Sequence, residues 1–371
     1  MPNSVKYFDS TMSGAPSLSG TAGALIGVLD ACLVDGFGSV TVNSLVVASD
    51  VATATVSAGH QFTMQGTTGP VIEISGANPS GLNGEWRVTV TSSTTFTFVT
   101  SGISDQTATG TISAKRAPAG FSKAFSGTGM EAYRSDDITG TRLYLRIDDT
   151  YGMYARIRGY EGMTDVNTGT FLFPTDAQIS GGGYVWKSNA ASSVTRPWAL
   201  YTDGRMIYFV CDTQLNTFWA GGFVFGDVDS YAASDTFGCL LLCSGTATGS
   251  LGLHLLGNTS NAFWARSYTQ LDSDPLVSRY SHGKTTYLGF GAQAYPAPAD
   301  THLHLWPVEC WEGTTLARGM MPGLWNPIHD SDTPNGLIVD DIPNLPGRTL
   351  KVQTINNTAY ECAIDLTGPW R

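Results

Sequence analysis

The groupings in this chain that could do chemistry are few and short. His302 and His304 stand two residues apart in a stretch, Thr301 to Trp306, that reads as a strand. Residues i and i+2 of a strand share a face, so both imidazoles could approach one metal ion, with Glu309 or Cys310 as a further donor. One such pair without a clear third ligand does not define a metal site, and solvent-facing or interface histidines are the simpler reading. Small acidic clusters stand at Asp136-Asp137, Asp148-Asp149, Asp227 with Asp229, Asp330 with Asp332, and Asp340-Asp341. The loop Asp330-Ser331-Asp332-Thr333-Pro334-Asn335-Gly336 offers the oxygen donors that calcium takes, but it lacks the EF-hand spacing and its closing glutamate. Aspartate is also an ordinary turn residue, and that reading is carried forward.

Glycoside hydrolysis needs two carboxylates facing a sugar cleft. Glu161, Asp165 and Asp176 could be assembled among Trp186 and Trp198, as could similar sets in any aromatic, aspartate-containing chain. There is no G-x-S-x-G nucleophile elbow and no glycine loop followed by Lys-Ser/Thr for phosphate. His60 falls in a loop with no evident partner. Arg142, Arg146, Arg156 and Arg158 alternate on two neighbouring strands opposite Asp148 and Asp149. Guanidinium forks pair well with carboxylates and are enriched at interfaces, so these arginines are expected to contribute intersubunit or interdomain ion pairs. The expectation is a non-enzymatic protein with no catalytic, cofactor-binding or metal residues.

The whole-chain balance points the same way. Charged residues make up 14% of the 371, against about 25% in an average domain. Glycine, serine, threonine and alanine fill the gap, which suits strands and ordered loops and leaves little charge to resist association. The net charge of −11 argues against nucleic-acid binding by a broad basic surface. Six scattered cysteines, Cys32, Cys211, Cys239, Cys243, Cys310 and Cys362, form no CxxC pair and read mostly as buried thiols. The first residues lack a basic region followed by an apolar core, so no secretory signal is expected. No apolar window is long enough for a membrane span.

The elements that must carry these residues are mostly strands. Residues 1–40 hold a Gly/Ser-rich arm and one helix candidate, Thr21 to Leu33, with Leu25, Val28, Leu29, Cys32 and Leu33 at helical spacing and Asp35-Gly36 as its stop. Residues 41–116 are rich in Thr, Val, Ser and Gly, and short alternating runs recur between turn residues, indicating a small sandwich or barrel. In Thr95 to Val99, Phe96 and Phe98 share one face and threonines the other. This segment reads as an inserted all-β module, Ig-like or barrel. Residues 117–330 form the main β-rich body and 331–371 a last group of strands. The fold class expected is mainly β, with antiparallel sandwich- or barrel-like domains and one short N-terminal helix.

Several stretches resemble the virion structural proteins of tailed bacteriophages: FSGTGMEAYRSDD with TRLYLRIDDT (125–150), ARIRGYEGMTDVNTG with FPT (155–175), VWKSNAASSVTRPWALYTDGRMIYF (185–209), and TTLARGMMPGLWNPIHD. The segment with SGANPSGLNGEWRVTVTSSTTFTF and TATGTISAK is similar to small all-β modules of such proteins. The resemblance implies a virion component made in the host cytoplasm, at the tail tip or baseplate, with a capsid or neck decoration as a further placement. It implies partners among other virion subunits, a homo-oligomer, and no cofactor. A receptor- or host-glycan-binding tail protein and a tail-associated glycan hydrolase are the alternatives.

Overall fold

The apolar runs WALYT, MIYFVC, GGFVFGD and CLLL carry only one charge between them, and they lie side by side in one antiparallel sheet. The computed structural model describes residues 4–215, 219–248, 258–259, 262–270, 278–279, 305–312, 316–327, 334–340, 342, 345–355 and 360–371. The central sheet runs in the order Lys6–Asp9, Trp198–Thr202, Met206–Cys211, Gly221–Asp227, Cys239–Leu242, Ala262–Trp264. Every residue of its four middle strands is buried. Antiparallel sheets commonly leave one face in water; this one is covered on both.

Strand periodicity feeds two separate cores. Trp198, Leu200, Ile207, Phe209 and Phe223 point to one side. There they meet an outer sheet of Phe121–Gly127, Met130–Ser135, Tyr144–Asp148, Tyr154–Asp165 and Thr168–Phe173, with Gly183–Trp186 also paired to Tyr154–Asp165. Tyr201, Tyr208, Val210, Val224 and Leu240 point to the other side. They pack on a second outer sheet, whose strands include Leu305–Glu312, Leu316–Pro327, Leu350–Ile355 and Tyr360–Asp365. The result is three stacked sheets. Among the described residues no sheet closes into a barrel.

The short helix lies in the first of these cores. It is α-helical over Ala24–Leu29 and continues as a π-helical turn over Asp30–Asp35, ending at Gly36 with φ 70°. All five apolar residues that suggested it, Leu25, Val28, Leu29, Cys32 and Leu33, are buried. The wider turn was not foreseen from spacing alone. Asp30, where it begins, accepts hydrogen bonds from the Tyr133 hydroxyl at 2.8 Å and from Lys123 at 2.9 Å.

A second, separate sandwich spans Phe37 to Arg116. One sheet has the order Gln106–Thr107, Ser44–Ala48, Val51–Thr55, Thr95–Val99, Thr89–Val90. The other has Phe37–Val42, Ile112–Arg116, Val71–Ser75, Gly84–Arg87. Its core is its own: Leu45, Val47, Ala52, Ala54, Phe96 and Phe98 face Ile72, Ile74, Ile112 and Ala114. Phe96 and Phe98 point inward and Thr95 and Thr97 do not, as their alternation predicts. The module meets the body through polar contacts. Arg87 donates to the carbonyls of Val5 and Thr367 at 2.9 and 3.2 Å, Lys6 pairs with Glu85 at 2.7 Å, and the hydroxyls of Thr68 and Thr367 meet at 3.0 Å. Among the described residues no helix is long and apolar enough to cross a membrane.

Candidate functional site

The acids and aromatics suggested for a sugar cleft are not gathered into one. Glu161, in Tyr154–Asp165, accepts both arms of the Arg266 fork at 2.5 and 2.6 Å. Asp165 ends the same strand and accepts the Asn167 amide at 2.7 Å. Asp176 is paired with Arg158 and accepts the Gly181 amide at 2.8 Å. Those donors hold the Asp176 carboxyl below its ordinary pKa, the Gly181 amide first and Arg158 next. Trp186 and Trp198 are core residues, and the Trp198 indole donates to the Pro16 carbonyl at 3.0 Å.

The other acids are also engaged within the chain. Asp227 accepts the Thr141 amide at 2.8 Å and pairs with Arg205 at 3.1 Å. Asp340 joins the second outer sheet to the module, accepting the Thr349 hydroxyl and, at 3.1 Å, the Thr67 hydroxyl. Asn335 accepts the Thr354 amide at 2.9 Å. Among the described residues no three His, Cys, Asp or Glu side chains come together to hold a metal ion. His302, His304, Asp330, Asp332 and Asp341 lie outside the described residues. Of the two donors suggested beside the histidines, Glu309 accepts the Tyr231 hydroxyl at 2.6 Å, and Cys310 is buried with its thiol donating to the Gly319 carbonyl at 3.3 Å. Burial pushes that thiol well up, and all six cysteines are buried and outside any disulfide. His60 does have partners: Nδ1 accepts the Phe62 amide at 3.0 Å and the ring stacks on Phe62.

The four arginines are used within the outer sheet. Arg142 and Arg146 donate to the Ser135 and Val166 carbonyls at 3.0 and 2.6 Å. Arg156 lies over the Tyr184 ring, 3.8 Å from its centre, and donates to the Ser180 and Gly182 carbonyls. Arg146 comes within 3.9 Å of Asp148, but Asp149 pairs with Lys187 instead. Arg158 does find a carboxylate, Asp176, but for Arg142, Arg146 and Arg156 a backbone carbonyl competes for the fork, and residue spacing cannot show which is closer.

Two clefts remain. The first, about 490 Å³, lies where the module meets the body and is lined by Lys6, Glu85, Asp136, Asp137, Ile138 and Asp203. Burial works against the Asp137 carboxylate, but the Thr139 hydroxyl and amide and the Arg205 and Arg371 charges outweigh it, and its pKa is lowered. Asp203 accepts the Met206 amide at 2.8 Å and the Arg371 guanidinium at 3.0 Å. The acids are thus held as turn and anchor groups. The second cleft, about 230 Å³, lies on the second outer sheet between Trp325, Trp370, Pro307, Met320, Arg348 and Asp229. The Trp370 indole donates to the Asp365 carbonyl at 2.9 Å, which fixes the ring at the wall.

A buried charge network escaped the sequence reading. Arg318, fully buried, pairs with Asp235 at 2.8 Å and Glu312 at 3.1 Å and lies over the Trp264 ring. It also donates to the Arg266 carbonyl at 2.5 Å, and Arg266 clamps Glu161. The network links all three sheets through residues far apart in the chain, so no local pattern signals it. No family model matches the chain, and no curated protein does either.

Proposed function

We propose that this chain is a structural subunit of a tailed-phage virion, at the tail tip or baseplate, that works by contacts with neighbouring subunits. The observation that carries this reading is the outer face of the module's five-stranded sheet. Val46, Val51 and Val99 stand exposed there, with Val51 directly opposite Val99 and Thr53 opposite Thr97. A water-facing surface ordinarily bears charged side chains that discourage association; this face bears valine and threonine. The stretches similar to virion proteins build the first outer sheet, two strands of the central one and the strand Leu316–Pro327 of the second outer sheet. Mass spectrometry of purified virions with a particle reconstruction tests the proposal. The chain should be found in stoichiometric amount, and lysine at both Val51 and Val99 should leave a folded protein that assembles poorly. A monomer absent from particles overturns it.

Host-glycan binding is the second reading, favoured by the Trp325–Trp370 cleft, since aromatic faces with polar neighbours suit sugar rings. Trp325→Ala would then abolish adsorption to one host strain while particles stay intact. Unchanged adsorption dismisses it.

A further inference from the structure

Asp149 and Lys187 are 38 residues apart in the chain, and their side chains are in contact with no solvent exposure on either. Asp149 follows the strand Tyr144–Asp148 and Lys187 follows Gly183–Trp186. These two strands flank Tyr154–Asp165 in the first outer sheet, and the helical segment closes over the pair. We propose that Asp149 and Lys187 condense to an intramolecular amide, an isopeptide bond that ties the two strands together.

The surroundings fit that reaction better than they fit two lasting charges. Taking a carboxylate and an ammonium out of water carries a penalty that their attraction repays only in part. Burial raises the Asp149 pKa and lowers that of Lys187, and their mutual attraction does not cancel either shift. Both groups are therefore drawn toward the neutral acid and neutral amine, which are the reactants for condensation. Holding them in contact supplies the large effective concentration of an intramolecular step.

The hydrogen bonds are placed for it as well. Asp149 Oδ2 accepts the backbone amides of Leu25 at 2.7 Å and Ile26 at 3.2 Å. Lys187 Nζ touches the other oxygen, Oδ1, and donates to the Thr21 carbonyl at 2.6 Å. In the step, Nζ attacks Cγ and the Nζ–Cγ bond forms. Negative charge gathers on Oδ2, where two fixed amides already point. The Cγ–Oδ1 bond then breaks. Oδ1 takes the carboxyl's own proton and one from the amine, and leaves as water. No oxidant or other reactant is needed. In the product the single amide N–H keeps the Thr21 carbonyl and Oδ2 keeps both amides, so each buried polar atom stays satisfied.

Intact mass of the purified full chain, measured denatured, decides the matter. It should be lighter than the sequence requires by one water, about 18 Da. Proteolysis should release a branched peptide containing both Asp149 and Lys187. The double substitution Asp149→Leu with Lys187→Met replaces the pair by apolar groups, a change that folds commonly tolerate, and should restore the full mass. An unmodified wild-type mass overturns the proposal. So does a water loss that persists in the double variant or maps to a cyclic imide at Asp35-Gly36 or Asp203-Gly204. If the variant fails to fold, the wild-type branched peptide alone gives the answer.

Discussion

Met206–Cys211 in the central sheet and Thr95–Val99 in the module are both short antiparallel strands, yet one is buried at every residue and the other at alternate ones. The difference is the number of layers. The module has two sheets, so each strand has one face to bury and one to leave in solvent, and its sequence alternates. The body has three, so its middle strands serve two cores at once and lose their polar positions. Composition follows: the outer face of the module's five-stranded sheet is rich in threonine and valine, whereas charged groups buried inside the body are held in pairs such as Arg318 with Asp235. A fully buried sheet also constrains its backbone. Gly222 and Gly226 both have φ 140°, and a Cβ would lie 2.0 Å from the carbonyl oxygen of Phe209 in the neighbouring strand at the first and of Arg205, just before that strand, at the second.

The comparison can be broken by substitutions placed on either side of it. The largest effect is expected from Trp198→Ala, which opens a cavity in the central core and should cost about 3–5 kcal/mol, seen as a fall in the denaturation midpoint of the body. Phe96→Ala should cost the module about 3–4 kcal/mol while the body's transition holds its position. If both variants move one shared transition, the two regions are not separate folding units. Lys6→Met removes the buried ammonium from Glu85 at the junction and should cost about 1.5–3 kcal/mol, read as weaker protection of the Glu85 strand in hydrogen exchange. The pH dependence is smaller. The Asp137 pKa is lowered in the fold, so its contribution is present above the unfolded pKa and is lost as pH falls through the folded one. Asp137→Asn should therefore flatten the acid limb of the stability curve and leave the alkaline limb alone. The smallest effect is Val99→Thr on the module's outer face, within about 0.5 kcal/mol for the monomer; a larger loss in the isolated chain would mean that the face is covered from within.

Local patterns carried much of this fold. The strands Val71–Ser75, Thr95–Val99 and Met206–Cys211 have the limits that alternation or an apolar run predicts, and the helix's five buried residues follow from spacing. Gly221–Asp227 was not legible, because its glycines read as punctuation and only the adjoining strands show why they are required. The reading of the sites was weaker. Asp149 looked like a partner for arginine because its neighbour Asp148 lies opposite Arg156 in the sheet, but Lys187 reaches it from the far side of the intervening strand. His60 looked unpartnered because its partners are a backbone amide and a neighbouring ring.

What the sequence determined alone is the period of each strand, the identity of the helix's buried face and the scarcity of charge, because these depend on neighbours a few residues away. Tertiary structure decided which strands would have two faces to bury, which cations would find which acids, and that the aromatic and acidic residues would scatter between core and turns. Those outcomes depend on contacts between residues a hundred positions apart, such as Arg266 with Glu161, where burial and hydrogen-bond geometry act and spacing along the chain carries no information.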